Sequence, residues 1–168
     1  MLWAFLHFWA SQPGGSGFEL VMIIRALKPE DRADWQKLWD GYLVFYDVAL
    51  ASEVTESTWS RVLERAHGFF ALVAEDDAGR LIGLAHCLIH FKTWDIAPCC
   101  YLEDLFVAQS ERGRGVGRAL VEAVAGEARR LGAGDLYWFT NKGNRNARQL
   151  YDQIGTLSDF VRYDRKLR

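Results

Sequence analysis

Apolar residues recur along this chain with two periods, and the order in which those periods alternate predicts the fold. Positions 22–27 (MIIRAL) form a short β-type run. A helical stretch follows, opened by Pro29, Glu30 and Asp31, in which Trp35, Leu38, Trp39, Tyr42 and Leu43 fall at helical spacing. A break over 47–55 separates it from a second short helix expected over 58–66. Residues 69–74 (FFALVA) and 80–91 are β-type runs joined by Asp76, Asp77, Ala78 and Gly79, which is a hairpin signal. Another strand is expected over 99–107, after the turn at Pro98.

Downstream, Val116, Leu120, Ala123, Val124 and Leu131 lie near one face of a helix, and the segment Gly132 to Gly134 supplies its stop. Residues 136–140 read as a short strand. Residues 144–154 carry a helical apolar stripe at Ala147, Leu150, Tyr151 and Ile154, and residues 160–167 alternate as a closing strand does. The predicted order is βααβββαβαβ. It implies an α+β fold, a mixed and mostly antiparallel central sheet flanked by helices.

A length of 168 residues, half of them apolar, fits one globular domain at roughly 100–200 residues per domain. The first ten residues (MLWAFLHFWA) are apolar but shorter than the ~20 needed to span a bilayer, and they lack the basic start of a secretory signal. Residues 11–17 (SQPGGSG) are a breaker. Residues 1–21 are therefore expected to stand outside a domain over 22–168, as a loose arm or as the product of an upstream start codon. Three cysteines, Cys87, Cys99 and Cys100, make neither a disulfide framework nor a metal quartet, and their odd number fits the reducing cytoplasm. They read as small core residues.

The net charge of −2 argues against nucleic-acid and membrane partners. That average hides a split. Residues 1–108 carry 8 Lys and Arg against 15 Asp and Glu, whereas residues 109–168 carry 12 against 7. Either this is ordinary surface variation, or the back half holds an anionic ligand and the front half a cationic one. His86 and His90 share a strand face, but no thiolate or carboxylate has matching spacing, so no metal site is expected.

The most specific stretch is 101–117 (YLEDLFVAQSERGRGVG), where a strand ends and Gly113, Gly115 and Gly117 lead into a helix. Glycines there let backbone amides turn toward one point, which the positive helix end also faces. Arg112, Arg114 and Arg118 add charge, so the loop reads as a pyrophosphate cradle, the alternative being a tight turn into the helix. GxxxxGK[ST] is absent, and a dinucleotide GxGxxG from Gly113 would need glycine where Arg118 stands. Nucleoside triphosphate and NAD readings therefore drop.

What remains, Arg112 with Gly115 and Gly117, resembles the coenzyme A loop of the GNAT superfamily of N-acetyltransferases. Residues 144–155 (NRNARQLYDQIG) are similar to the family's Asn-x-x-Ala-x-x-x-Tyr helix, met by Asn144, Ala147 and Tyr151. The segment 101–107 (YLEDLFV) resembles the diamine and polyamine acetyltransferase subgroup, which acts on small amines or amino-acid side chains. One departure is Gly155-Thr156, where the family usually has Gly-Phe.

The resemblance implies a sheet splayed open after the strand that ends at Val107, with acetyl-CoA in the opening as co-substrate and no metal. Backbone groups of Leu105, Phe106 and Val107 would bond the pantetheine arm as an added strand does. Amides of Arg112, Gly113, Arg114, Gly115, Val116, Gly117 and Arg118 would hold the pyrophosphate, and Asn144 and Ala147 would also face the cofactor. Tyr151 is the candidate proton donor, or else a core tyrosine. Glu103 is the candidate base, or else a solvated carboxylate; in a regular strand Glu103 and Asp104 face opposite ways, so only one can point into the cleft. The acceptor is expected to meet Tyr42, Tyr46, Asp47, Glu53 and Trp94, since aromatic faces and carboxylates attract an ammonium. The implied function is N-acetyltransfer to a small primary amine by a homodimer. A protein, peptide or aminoglycoside acceptor, or a CoA-binding module without turnover, stand as alternatives.

Overall fold

The computed structural model describes residues 21–167. All of the expected extension except Val21 lies outside them. The chain falls into two compact units, Met1–Trp138 and Phe139–Arg168.

The first unit contains β1 (Met22–Ala26), α1 (Arg32–Phe45), α2 (Ser52–Glu64), β2 (Phe69–Asp76), β3 (Leu81–His90), β4 (Cys99–Val107), α3 (Val116–Arg130) and β5 (Asp135–Trp138). Its five strands form one sheet in the order β1-β2-β3-β4-β5. The first four pair antiparallel, and β5 joins parallel to β4. This is the expected α+β architecture.

Central β3 (LIGLAHCLIH) is an almost unbroken apolar run because both of its faces are covered. Leu84 packs with Trp35, Leu38, Trp39 and Trp59 of α1 and α2. A Cβ on its neighbour Gly83 would meet Val116 and Leu120 of α3 at 3.0–3.1 Å. Adjacent strand residues point to opposite faces, so α1 and α2 cover one side of the sheet and α3 the other. At the start of α1, Asp31 accepts the Lys28 backbone N–H and a two-pronged pair from Arg25. That arrangement fixes where β1 turns into the helix.

Strand ends shift by one or two residues, and two larger differences stand out. The second helix begins at Ser52, not at residue 58, because Thr55, Trp59 and Val62 form its buried stripe and Thr55 accepts a hydrogen bond from the Trp39 indole. A polar, β-branched first turn looks like a break until its tertiary partner is known. The second unit holds α4 (Arg145–Ile154). The expected closing strand over 160–167 does not form. Phe160, Val161, Tyr163 and Leu167 are exposed, and the segment has no regular structure. Alternation makes a strand only where a neighbouring strand takes up its backbone groups, and none does so among the described residues.

Candidate active site

Two residues of β4 occupy the space of one residue of β3. Cys87 pairs with Leu102, but its neighbour His86 pairs with Asp104, so Glu103 is the extra residue of a β-bulge. Regular alternation would send Glu103 and Asp104 to opposite faces. The bulge removes that constraint, and both carboxylates line one cavity of about 190 Å³. The expectation that only one of them faces the cleft is thus corrected. Trp39, Val54, Arg61 and His86 line the same cavity.

Asp104 is held through a relay of two side chains. The Trp35 indole N–H donates to His86 Nε2 at 2.9 Å. Because that N–H can only donate, Nε2 carries the lone pair and the imidazole proton sits on Nδ1. His86 Nδ1 in turn donates to Asp104 Oδ2 at 3.0 Å. His86 is only 1% exposed, so this tautomer is enforced by packing. From α1, Tyr42 lies beside Asp104, and burial together with the Asp104 charge pushes this phenol far above its ordinary range. Burial and the same charge raise Tyr46. Both phenols therefore stay protonated.

These aromatics share one face of α1 because they recur at spacings of three and four residues. Trp35 stacks on Trp39 at 5.9 Å, Trp39 on Tyr42 at 5.3 Å, and Tyr42 meets Tyr46 at 4.9 Å. An aromatic wall beside a carboxylate pair attracts a cation.

The register of β4 with β5 ends at Leu102 and Trp138, yet β4 runs on to Val107. The sheet opens along this edge, where Leu105, Phe106 and Val107 lie. Beyond it, Gly113 and Gly115 take φ values of 77° and 85°, a conformation that L side chains adopt only with strain. Gly115 caps α3, whose first intrahelical bond runs from Ala119 N–H to Gly115 O at 3.0 Å. A Cβ on either glycine would find no protein atom within 4 Å. Bare backbone, open space and a positive helix end fit a diphosphate.

Two of the loop's arginine side chains are already engaged. Arg112 Nε donates to Val107 O at 3.1 Å, with its guanidinium over Phe45 and Phe106. Arg114 pairs with Glu111. What these two residues leave open toward the loop is their backbone amides rather than free side-chain charge.

In the second unit, Asn144 caps α4. Its Oδ1 accepts from Ala147 N–H at 3.3 Å, and its amide donates to Thr140 Oγ1 at 3.4 Å. Ala147 and Tyr151 are half-buried.

Of the other expected acceptor contacts, Asp47 is exposed at a positive φ of 53°, Glu53 is exposed in the first turn of α2, and Trp94 is 88% exposed in the loop 91–98. None of them lines the cavity, and neither do Tyr42 and Tyr46, whose ring stack continues from Trp39 of the lining. Sequence reasoning reads His86 as a strand residue, sets Asp104 behind Glu103 and gives Arg61 no role. A lone histidine inside the apolar run of β3 is a signal for the first; Asp104 has none, because the bulge is invisible in the pattern. All three cysteines are buried and free. Among the described residues, no group of three or more His, Cys, Asp and Glu could hold a metal ion, and no helix is long and apolar enough to cross a membrane.

Comparison with known proteins follows the same lines. Residues 24–156 match the model of the acetyltransferase (GNAT) family. The D-amino-acid N-acetyltransferase HPA3 of Saccharomyces cerevisiae is 34% identical over 145 residues, covering 86% of this chain and 90% of the relative. The thialysine N-epsilon-acetyltransferase of Caenorhabditis elegans is 32% identical over 88 residues, about half of either chain (52% and 52%). Among solved structures, a ribosomal-protein-alanine N-acetyltransferase from Brucella melitensis biovar Abortus 2308 superposes with a TM-score of 0.74 at 20% identity, covering 88% of this chain and 99% of the other. At that identity the likeness speaks for the fold alone.

Proposed function

This chain belongs to the acetyltransferase (GNAT) family and is an acetyl-CoA-dependent N-acetyltransferase, and we propose that its acceptor is the primary amine of a small molecule: a polyamine, a diamine or an amino-acid-like compound. The observation that carries this reading is the pair of carboxylates, Glu103 and Asp104, in one aromatic-walled cavity on the strand that leads into the glycine loop. The yeast and nematode relatives, named for amino-acid acceptors, support it.

Acetyl-CoA supplies the activated acetyl group: the acceptor nitrogen attacks the thioester carbon, a C–N bond forms, the C–S bond breaks, and CoA leaves as the thiol. Amides of the loop from Arg112 to Arg118 hold the pyrophosphate, and backbone groups of Leu105 to Val107 hold the pantetheine arm. Glu103 takes a proton from the acceptor ammonium, directly or through water, so that a neutral amine attacks. Tyr151 gives a proton to the departing sulfur and recovers one as the new amide nitrogen loses its second. One proton is released per turnover. Asp104, held by His86, faces the ammonium.

Kinetics of Glu103→Gln against pH test this assignment. General-base removal typically costs about 10²–10⁴-fold in rate. The loss in kcat/KM should be large near neutrality and shrink as pH rises toward the acceptor's own pKa, where the amine is already neutral. Wild-type rates across the whole range would remove Glu103 from the role.

A further inference from the structure

Arg61 stands out among the residues that line the cavity. On α2, its Nε donates to the Ser57 backbone carbonyl at 3.2 Å, and its guanidinium lies 5.3 Å from the centre of the Phe69 ring. No carboxylate pairs with it among the described residues, although Glu103 and Asp104 line the same cavity. Several other arginines of this unit pair with carboxylates, Arg25 with Asp31 and Glu75, Arg32 with Glu56, Arg65 and Arg130 with Glu127, Arg80 with Asp76 and Arg114 with Glu111, whereas Arg112 donates to a backbone carbonyl outside the cavity.

The cavity therefore offers one guanidinium and two carboxylates, with apolar surface from Leu50, Val54 and Val62 between the polar groups of the wall. A polyamine would bring further positive charge toward Arg61, and like-charge approach disfavours a ligand. A molecule with an ammonium and a carboxylate satisfies both kinds of group. The planar guanidinium fork matches a carboxylate geometrically, and ring stacking leaves its edge nitrogens available to donate.

We propose that the acceptor is a zwitterion, an amino acid with a free carboxylate, and that Arg61 is the specificity-determining residue that binds this carboxylate while Asp104 and Glu103 face the amine. The inference rests on the acetyltransferase reading above and narrows its acceptor class. The apolar wall receives the amino acid's side chain.

The test compares wild type and Arg61→Gln with acetyl-CoA, reading acetylated product by mass spectrometry. The acceptors are D- and L-leucine, phenylalanine, serine and lysine, each beside its amide and its decarboxylated amine, together with spermidine. For at least one series, the wild-type kcat/KM for the free acid should exceed that for the amide and the amine by ten-fold or more. Arg61→Gln should collapse that ratio below three-fold, and Arg61→Lys should retain part of it. Acetyl-CoA affinity within two-fold of wild type, measured calorimetrically, reports that the variants are folded. If the wild type uses amides, amines or spermidine as well as it uses the acids, or if the ratio survives in Arg61→Gln, the zwitterion assignment is wrong while the transferase reading stands. If no amine of any kind is acetylated, the transferase reading itself fails, and this inference with it.

Discussion

At the scale of single residues, the proposed site depends on a proton whose position is set by Trp35, one side chain behind the cavity wall. Trp35 can only donate, so His86 must accept at Nε2 and donate from Nδ1 to Asp104. His86→Phe removes that donor, whereas His86→Asn keeps an N–H near the Nδ1 position. His86→Phe should raise the acceptor KM about ten-fold or more, the scale of one charged hydrogen bond, with His86→Asn recovering much of the loss in steady-state kinetics. Both should be less stable by about 1–3 kcal/mol, because each leaves the buried indole N–H without its acceptor. Equal KM values for the two variants would reduce His86 to packing. Glu103 is legible in the sequence through the motif that surrounds it. Asp104 is not, since period-two alternation assigns it to the opposite face, and only the extra residue in the β3–β4 ladder brings it into the cavity.

At the scale of elements, the helices and strands that bury a face are legible, because burial imposes the period that pattern reading detects. The α1 stripe of Trp35, Trp39 and Tyr42 is one case, and the doubly covered β3 is another. Segments whose conformation depends on a distant partner are not legible, as with the first turn of α2 and residues 160–167. The glycine loop is legible because its chemistry lies in the backbone. Gly115→Ala should destabilise the fold by about 1–2 kcal/mol through the strained positive φ. It should also raise the acetyl-CoA Kd, since the new methyl group would point into the space offered to the diphosphate. Calorimetry and thermal unfolding check both effects. On the far face, Glu127 of α3 is held below its ordinary carboxylate range chiefly by Arg130 and then by Arg65. A depressed folded-state pKa contributes stability that is present above the unfolded value, near 4.5, and lost as pH falls through the folded value. Its partners are partly exposed, so Glu127→Gln should cost only about 1 kcal/mol, or about 2–4 °C in Tm at neutral pH. The deficit should vanish in acid. A deficit independent of pH would assign the effect to packing.

At the scale of the whole molecule, the charge split along the sequence is the one that the proposed function calls for. The acidic front half carries Glu103, Asp104 and the aromatic stripe of α1, and the basic back half carries the glycine loop. One sheet edge, opened where β5 ends and β4 continues, connects the amine cavity to the anion loop within the first unit. That edge is implied by family resemblance, whereas the arrangement of the cavity is read from the packing of α1, α2 and β4. The most direct measurement is thiol release from acetyl-CoA by the purified full chain across amino acids, diamines, polyamines, aminoglycosides and a peptide, with a control lacking acceptor. Release above the control for small amines or amino acids, absent for the aminoglycosides and the peptide, is the predicted result. Release only with the peptide or an aminoglycoside, or silence from a protein that still binds CoA in a parallel titration, would contradict the small-amine assignment.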